Sequence, residues 1–164
     1  TFIFPATGRH PAGMVIVPFP CYASPVLEVV CAIILREHEI LLCQRAPGQH
    51  LAGSWEFPGG KVEEGEEAAA ALQREIREEL DCMVEGGEAL PAIEHHYPAL
   101  SLRLQAFPCR LVPSSPEPQA LDHAAIRWMP LQEVESLSLA GADHRLWVKA
   151  REVIEGEIQR SGSG

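Results

Sequence analysis

The stretch Gly59–Cys82 reads GGKVEEGEEAAAALQREIREELDC and concentrates glutamate in an unusual way. Glu75, Glu78 and Glu79 are spaced i, i+3 and i+4, so on a helix they share one face. A solvated face usually alternates its charges, because like charges at this spacing destabilise a helix. The cluster therefore indicates carboxyl groups with raised pKa values, or a cation that neutralises them. Hard carboxylate oxygens suit Mg²⁺ or Mn²⁺, which bind through a few carboxylates and substrate phosphates.

The same stretch predicts the helix that carries these carboxylates. Between about Glu64 and Leu80, apolar residues recur at steps of three and four and form a stripe for burial: Ala69, Leu72, Ile76 and Leu80. The three glutamates span a sector of roughly 100° beside that stripe. Glu66 falls on about the opposite side of this helix, or in a loop before it. The preceding turn, PGG at 58–60, has glycines that permit positive φ and close ligand approach.

Length, charge and cysteine content exclude several classes of protein. The chain has 164 residues, 46% of them hydrophobic, which fits one globular domain. A net charge of −10 argues against binding to nucleic acid or an anionic membrane, but a phosphorylated small molecule remains compatible if a divalent cation is bound. Five cysteines without a CxxC pair predict reduced thiols in the cytoplasm and no zinc site.

The rest of the chain alternates strand-like and helix-like segments. LEVVCAIIL and EILLCQR predict one strand pair, PAIEHHYP and LSLRLQAFPCRLV a second, and WEF and AAIRWMP two further strands. LQEVESL predicts a short helix and residues 142–157 a longer one, with these apolar candidates for burial: Leu146, Val148, Val153 and Ile154. Because the strand pairs have the pattern of hairpins, we expect an α/β fold with a mixed sheet between helices, unlike the parallel Rossmann sheet.

Three regions are expected along the chain. Residues 1–26 are rich in Pro, Gly and aromatic residues and show no period, which indicates an N-terminal extension. Four prolines among the first twenty residues argue against a membrane-spanning helix there. The domain itself is expected at 27–158, followed by a flexible tail at 159–164.

The glutamate stretch resembles the signature of the Nudix hydrolases, in which Gly-x5-Glu-x7 precedes Arg-Glu-apolar-x-Glu-Glu-x-Gly-apolar. The matching residues are Gly60, Glu66, Arg74, Glu75, Ile76, Glu78 and Glu79. Two residues depart from the signature: Asp81 replaces the usual glycine and Cys82 a larger apolar residue. Because aspartate tolerates left-handed backbone better than most residues, we expect a slightly strained helix exit and retained activity.

The resemblance extends over roughly residues 27–157. GSWEFPGGKVEEGE, DHAAIRW and LAGAD are similar to segments of the MutT-like and CTP-pyrophosphohydrolase-like branch, as are Arg45 and Tyr97-Pro98. It implies a Nudix-type α/β/α sandwich around a mixed sheet. It also implies that Glu75, Glu78 and Glu79 bind divalent metals together with the carbonyl of Gly59. The alternative is a solvated acidic face, and the choice of general base stays open.

The remaining roles implied by the resemblance each have a structural alternative. Arg74 and Glu66 would form an orienting pair, or a purely structural ion pair. Asp122 falls where MutT-like enzymes place an extra metal-binding acid, usually glutamate; Asp122 could instead cap a loop, and Glu117 is a weaker substitute. Lys61 could meet a phosphate or be solvated.

For the nucleobase, the branch suggests Arg45, Tyr97 and Asp143. Tyr97 could stack on a base or belong to the core. Asp143 could accept from N–H groups of guanine or cytosine, or cap a helix N-terminus. The adjacent His95 and His96 are interpreted as strand-end structure and not as metal ligands.

These residues together imply a Mg²⁺-dependent (or Mn²⁺-dependent) pyrophosphohydrolase that converts a nucleoside triphosphate and water into a nucleoside monophosphate and pyrophosphate. The first expectation for the substrate is an oxidised purine nucleotide such as 8-oxo-dGTP, which would make the protein a sanitiser of the nucleotide pool. The alternatives are a CTP or modified-dCTP pyrophosphohydrolase and a non-catalytic nucleotide-sensing Nudix domain. Dinucleoside polyphosphates, ADP-ribose and 5′-triphosphate RNA are more distant, and the oligomeric state is open.

Overall fold

The apolar run predicted as the first strand is the centre of the sheet. In the computed structural model, which describes residues 26–161, strand β1 spans Val26–Arg36 and pairs in parallel with β7, Ser101–Leu111. The end of β1 forms the predicted hairpin with β2, Glu39–Gln44. The other strands are β3 (Trp55–Glu56), β4 (Gly59–Lys61), β5 (Val84–Gly86), β6 (Ile93–His96) and β8 (Ala125–Pro130). A mixed sheet is confirmed, because β4 pairs antiparallel with β1, β5 and β6 with β7, and β3 and β8 with β2.

Helices cover both faces of this sheet. Helix α1 spans Ala68–Leu80, helix α2 spans Gly141–Ser161, and a 3-10 helix occupies Leu131–Ser136. Alternate residues of β1 point to opposite sides, as a period of two requires. Cys31, Ile33 and Leu35 belong to the core shared with α2. Val30, Ala32 and Ile34 belong to the core shared with α1. Both faces of β1 are thus buried, which explains its unbroken apolar sequence and confirms the α/β/α sandwich.

Helix α1 is shorter than predicted. It begins at Ala68 after Glu67. Glu66 therefore lies in the loop before the helix, which was one of the two positions expected for it. The buried residues of α1 are Ala71, Leu72, Ile76 and Leu80. Ala69, predicted in the stripe, is exposed, whereas Ala68 and Ala71 of the same turn pack on the core. At the other end Asp81 adopts φ 51° and ψ 36°, which confirms the left-handed helix exit.

Helix α2 differs from its prediction in length and in its buried face. It extends to Ser161, so residues 159–161 of the expected tail are helical, and residues 1–25 of the expected extension lie outside the described residues. Val148 and Val153 were wrongly predicted to be buried and are 61% and 44% exposed. The face is instead formed by Ala142, Leu146, Trp147, Ala150, Ile154 and Ile158, mostly at steps of four. Over the described part of the chain, neither helix has the length and apolarity needed to cross a bilayer.

Candidate functional site

The glutamate face, defined as Glu75, Glu78 and Glu79, packs against the glycine turn before α1. The Gly59 N–H donates to the Glu79 carboxylate at 3.1 Å. A Cβ on Gly60 would lie 2.5 Å from an Oε2 atom of Glu75, and a Cβ on Gly59 would overlap the backbone of β1. Gly59 is therefore required, because the strand backbone leaves no room for a side chain, and a side chain at Gly60 would displace the Glu75 carboxylate.

Arg74 connects the glutamate face to the loop before α1. Its Nε and Nη2 donate to the two carboxylate oxygens of Glu66, each at 2.9 Å, so the expected ion pair forms in a bidentate geometry. Its Nη1 donates to Glu75 at 2.8 Å and lies 3.5 Å from Glu78, and its Nη2 also donates to the Lys61 carbonyl at 3.0 Å. The hydrogen bonds from Arg74 hold the pKa of Glu66 at about 2.

The carboxylates of the glutamate face differ in their surroundings. The Glu78 side chain is 59% exposed, whereas Glu75 is 16% exposed and bound by Arg74. Burial raises the pKa of Glu79 to about 7. Among residues 26–161, no three His, Cys, Asp or Glu side chains already converge as a closed set of metal ligands. These side chains nevertheless suit a hard divalent cation, since they offer several carboxylate oxygens, some exposed and some buried, beside a backbone turn.

The two acids predicted to supplement the face have different surroundings. The Leu121 N–H donates to the Glu79 carbonyl at 3.0 Å, which brings the exposed Asp122 next to the last turn of α1. Asp122 joins no group of three potential ligands within the described residues. Glu117, the weaker substitute, is bound to Arg36 at 2.7 Å and is 75% exposed. Glu117 is therefore engaged in a surface ion pair.

A cleft of about 620 Å³ opens beside the glycine turn. The four residues expected to bind substrate all line this cleft: Arg45, Lys61, Tyr97 and Asp143. Gly59 and Gly60 line it as well, so the cleft and the glutamate face share the same turn. Much of the remaining wall is apolar, with Leu27, Val29, Phe57, Leu102 and Leu104 among its residues. A mostly apolar cavity with a few convergent polar groups is the usual form of a small-molecule site.

Asp143 is buried at the inner wall of the cleft. It is 7% exposed, and its Oδ1 accepts the Phe57 N–H at 2.9 Å. Helix α2 begins at Gly141, so Asp143 lies inside the first turn and does not act as the N-cap that the sequence left open. Burial raises the pKa of Asp143 to about 7, and the negative charge of Glu56 contributes to the rise.

Glu56 belongs to a network that the sequence analysis missed. One carboxylate oxygen accepts from Arg45 Nε at 2.6 Å, and the other lies 3.1 Å from His123 Nε2. Burial alone would raise the pKa of Glu56, but the hydrogen bond from His123 and the charge of Arg45 outweigh it and lower that pKa. The same hydrogen bond acts on His123 in the other direction. Burial alone would lower the pKa of His123, but the hydrogen bond to Glu56 acts against burial, and that pKa is raised. The sequence did contain one signal that could have drawn attention to Glu56, because this glutamate stands between two aromatic residues in WEF.

Tyr97 stands between two histidines at the edge of the cleft. Its ring is 4.5 Å from that of His95 and 6.3 Å from that of His50, both edge to face. Tyr97 is half-buried and lines the cleft, so it is not a residue of the closed core. His96 Nδ1 lies 2.8 Å from Ser101 Oγ, across the turn between β6 and β7. Both adjacent histidines therefore make structural contacts at the strand end, as expected.

Known proteins are similar to this chain in sequence and in architecture. A family model described as NUDIX domain matches residues 29–149. The CTP pyrophosphohydrolase of Escherichia coli strain K12 is 40% identical over 118 residues, covering 72% of this chain and 86% of that protein. The 8-oxo-dGTP diphosphatase of Proteus vulgaris is 34% identical over 82 residues, covering 49% of this chain and 73% of that protein. The solution structure of the E. coli ORF135 protein has a TM-score of 0.68 at 36% identity and covers 81% of this chain and 96% of that one.

The domain match spans most of the described residues, and the E. coli relative is similar over most of its own length. The fold agrees with that of the solved structure, and the signature residues Arg74, Glu75 and Glu79 contact the turn at 59–61, which lines the cleft. On these grounds the chain belongs to the Nudix hydrolase family.

Proposed function

We propose that this Nudix hydrolase is a Mg²⁺-dependent nucleoside triphosphate pyrophosphohydrolase that releases a nucleoside monophosphate and pyrophosphate. We further propose that it prefers oxidised purine nucleotides such as 8-oxo-dGTP. Nudix hydrolases act on nucleotide substrates and use divalent metal ions. The observation that carries the proposal is the shared turn Gly59–Gly60, which borders the glutamate face on one side and the cleft on the other. A nucleotide with its base in the cleft would extend its phosphates toward the carboxylates.

The phosphate end of the site would be organised by the signature residues. Glu75, Glu78 and Glu79, with the carbonyl of Gly59, are the groups that would hold Mg²⁺ or Mn²⁺, and Asp122 beside the last turn of α1 is a further ligand in this proposal. When bound, such ions neutralise phosphate charge and lower the pKa of an attacking water. Arg74 and Glu66 orient the glutamate face, since one guanidinium bonds to Glu66, Glu75 and the backbone of β4. One of the acids of this face would serve as the general base.

Lys61 is proposed to meet the phosphates. It is exposed and lines the same cleft as the glycine turn. Its backbone is fixed from both sides, because its carbonyl accepts from Arg74 and its strand pairs with Val29 of β1. A mobile ammonium on a fixed backbone suits a phosphate as a point charge.

The base end of the site would be read by Arg45, Tyr97 and Asp143. Asp143 accepts the Phe57 N–H through Oδ1 and lines the cleft, where its carboxyl group would also meet a ligand. As a carboxylate it would accept from the N1–H and amino group of a guanine. Tyr97 offers an aromatic surface at the cleft edge. Arg45 is held by Glu56 and by the His50 carbonyl, so it would contribute from a fixed position.

A cytosine nucleotide is the second candidate, for a specific reason. With a pKa of about 7, Asp143 can also be protonated near neutrality. A carboxylic acid donates through its O–H and accepts through its carbonyl, which complements N3 and the amino group of cytosine. The 40% identity to a protein named CTP pyrophosphohydrolase supports the same candidate. A nucleotide-sensing domain without catalysis has less support, since all signature glutamates are present.

The same proposal covers the surroundings of the enzyme. The domain would span residues 27–158, in agreement with the family match to residues 29–149. We place it in the cytoplasm because the four described cysteines are free and buried: Cys31, Cys43, Cys82 and Cys109. The net charge of −10 supports a small nucleotide as the partner, in preference to nucleic acid or a membrane.

The test is pyrophosphate release with Mg²⁺ across dGTP, 8-oxo-dGTP, CTP, 5-methyl-dCTP, ADP-ribose and a diadenosine polyphosphate. We expect the highest kcat/KM for 8-oxo-dGTP and a loss of about 10³-fold in kcat in Glu79→Gln. The matched control is Glu64→Gln, which changes an exposed glutamate outside the glutamate face and should stay within about twofold. Preference for a cytosine nucleotide would replace the first substrate by the second. Nucleotide binding without any turnover would contradict the hydrolase proposal.

A further inference from the structure

A buried histidine outside the cleft contacts one of its walls. The His123 side chain is 3% exposed and precedes β8, and it is not among the residues that line the cleft. Its Nε2 lies 3.1 Å from the carboxylate of Glu56, which does line the cleft. Since a carboxylate in this ionised network only accepts, the His123 Nε2 carries the hydrogen and donates it. His123 therefore contacts the cleft wall through its Nε2–H group.

The loop that carries His123 is fixed at three points of the backbone. Gln119 and Leu121 donate to the carbonyls of Leu80 and Glu79, at 2.9 and 3.0 Å, in the last turn of α1. Beyond the histidine, Ala124 donates to the carbonyl of Gln44 on β2 at 2.9 Å. Residues 119–124 thus connect the end of the helix with the glutamate face to the strand beside Arg45. A side chain on this loop has a defined position relative to both ends of the site.

The two carboxylate oxygens of Glu56 each accept a hydrogen bond from a different residue. His123 donates to Oε1, and Arg45 donates to Oε2 at 2.6 Å. The two bonds together fix the rotation of the carboxylate about its last torsion, which neither bond alone would do. Glu56 is only 18% exposed, so loss of one donor would leave a buried oxygen without its partner. The wall of the cleft would then change in shape and in charge distribution.

We propose that His123 is a positioning residue for nucleotide binding, which holds the Glu56 carboxylate in the cleft wall and links that wall to the end of the glutamate helix. The inference rests on the proposed function in one respect, since it takes the cleft as the nucleotide site. His123 touches the wall from behind, and the glutamate face keeps its own contacts through Arg74 and Gly59. Its loss should therefore appear in KM and in ligand dissociation constants, with kcat changed little.

The experiment compares His123→Leu, which keeps volume but has no donor, with His123→Gln, whose amide N–H can replace Nε2–H. On the best nucleoside triphosphate of the panel, we expect His123→Leu to raise KM about tenfold with kcat within about threefold. His123→Gln should remain within about threefold of the wild-type KM. In a Glu56→Gln background, His123→Leu should cause little further rise, because its effect passes through Glu56. Unchanged KM in His123→Leu, or additive effects in the double variant, would overturn the proposal.

Direct binding separates this inference from the proposed activity. Calorimetry with dGMP and with CMP measures the cleft without any turnover. If the wild type hydrolyses nothing but binds a monophosphate that His123→Leu binds about tenfold more weakly, the hydrolase proposal fails and the positioning role stands. If turnover is intact and His123→Leu and His123→Gln bind and react alike, the positioning role fails. Thermal unfolding of every variant identifies any that does not fold, and His123→Gln with Glu56→Gln then carries the test.

Discussion

Each of the two ends of the site contains one acid whose pKa is lowered and one whose pKa is raised. Beside the glutamate face, Glu66 receives two hydrogen bonds from Arg74 and its pKa is held at about 2, whereas burial raises the pKa of Glu79 within the face to about 7. At the inner wall of the cleft, Asp143 receives the Phe57 N–H and no guanidinium, and burial raises its pKa to about 7. Glu56 beside it, also buried, has a lowered pKa because Arg45 and His123 both bond to it. Direct donation by a cationic partner, and not burial alone, therefore decides which acids are charged.

The largest expected effect comes from disturbing the glutamate face itself. In Gly60→Ala the new Cβ would overlap the Glu75 carboxyl, because an Oε2 atom lies 2.5 Å from its position. We expect kcat/KM to fall about 100-fold, as displacements of about 1 Å in a catalytic group cost. The matched control is Gly156→Ala in α2, where a Cβ meets nothing within 4 Å. Steady-state kinetics should show no change in the control, and urea unfolding should show a gain of about 0.5–1 kcal/mol. Equal activity in the two variants would mean that the close contact is not required.

Asp143 tests the other end through the pH dependence of stability. Its folded pKa of about 7 exceeds the unfolded value of about 3.9, so the folded state binds the proton more tightly. The contribution of Asp143 to stability is therefore full below pH 4 and is lost as the pH rises toward 7. Asp143→Asn cannot titrate but can still accept the Phe57 N–H. We expect the fall in unfolding free energy between pH 5 and pH 8 to be smaller in Asp143→Asn, by about 2 kcal/mol. Urea titrations at the two pH values measure this, and identical falls in both proteins would remove Asp143 as the responsible group.

The smallest effect is expected at an ion pair that belongs to neither end. Glu117 bonds to Arg36 at 2.7 Å, but the side chains are 75% and 37% exposed. Arg36 also lies 4.1 Å from the ring centre of Trp128, a contact that remains without its acid. Glu117→Gln should change the unfolding free energy by less than about 0.5 kcal/mol and leave kcat/KM unchanged. A loss above about 1 kcal/mol, seen by urea unfolding, would show that short distance alone predicts the strength of an ion pair here.

The helix boundaries show where local sequence signals are insufficient. The apolar spacing located α1 and its glutamates, but Ala69 was assigned to the core although it is exposed. In α2 the periodic pattern admitted Val148 and Val153, whereas Trp147 and Ile158 are buried in their place. Periodicity gives the angle of a side chain around its helix. Burial also requires a neighbouring element at that angle and height, which only the assembled sheet supplies.

The sequence by itself determined the chemistry of the glutamate face, because its three residues lie within five positions of one helix, which sets their relative geometry. It also determined the central strand, whose unbroken apolar run requires burial on both faces. Only the tertiary structure decided that Glu56 and Asp143 line one cleft with His123 behind Glu56, since they come from β3, α2 and the loop before β8. Their charge states depend on burial and on partners up to 86 residues away. Spacing along the chain does not encode such contacts, because the sheet brings together residues that no local period relates.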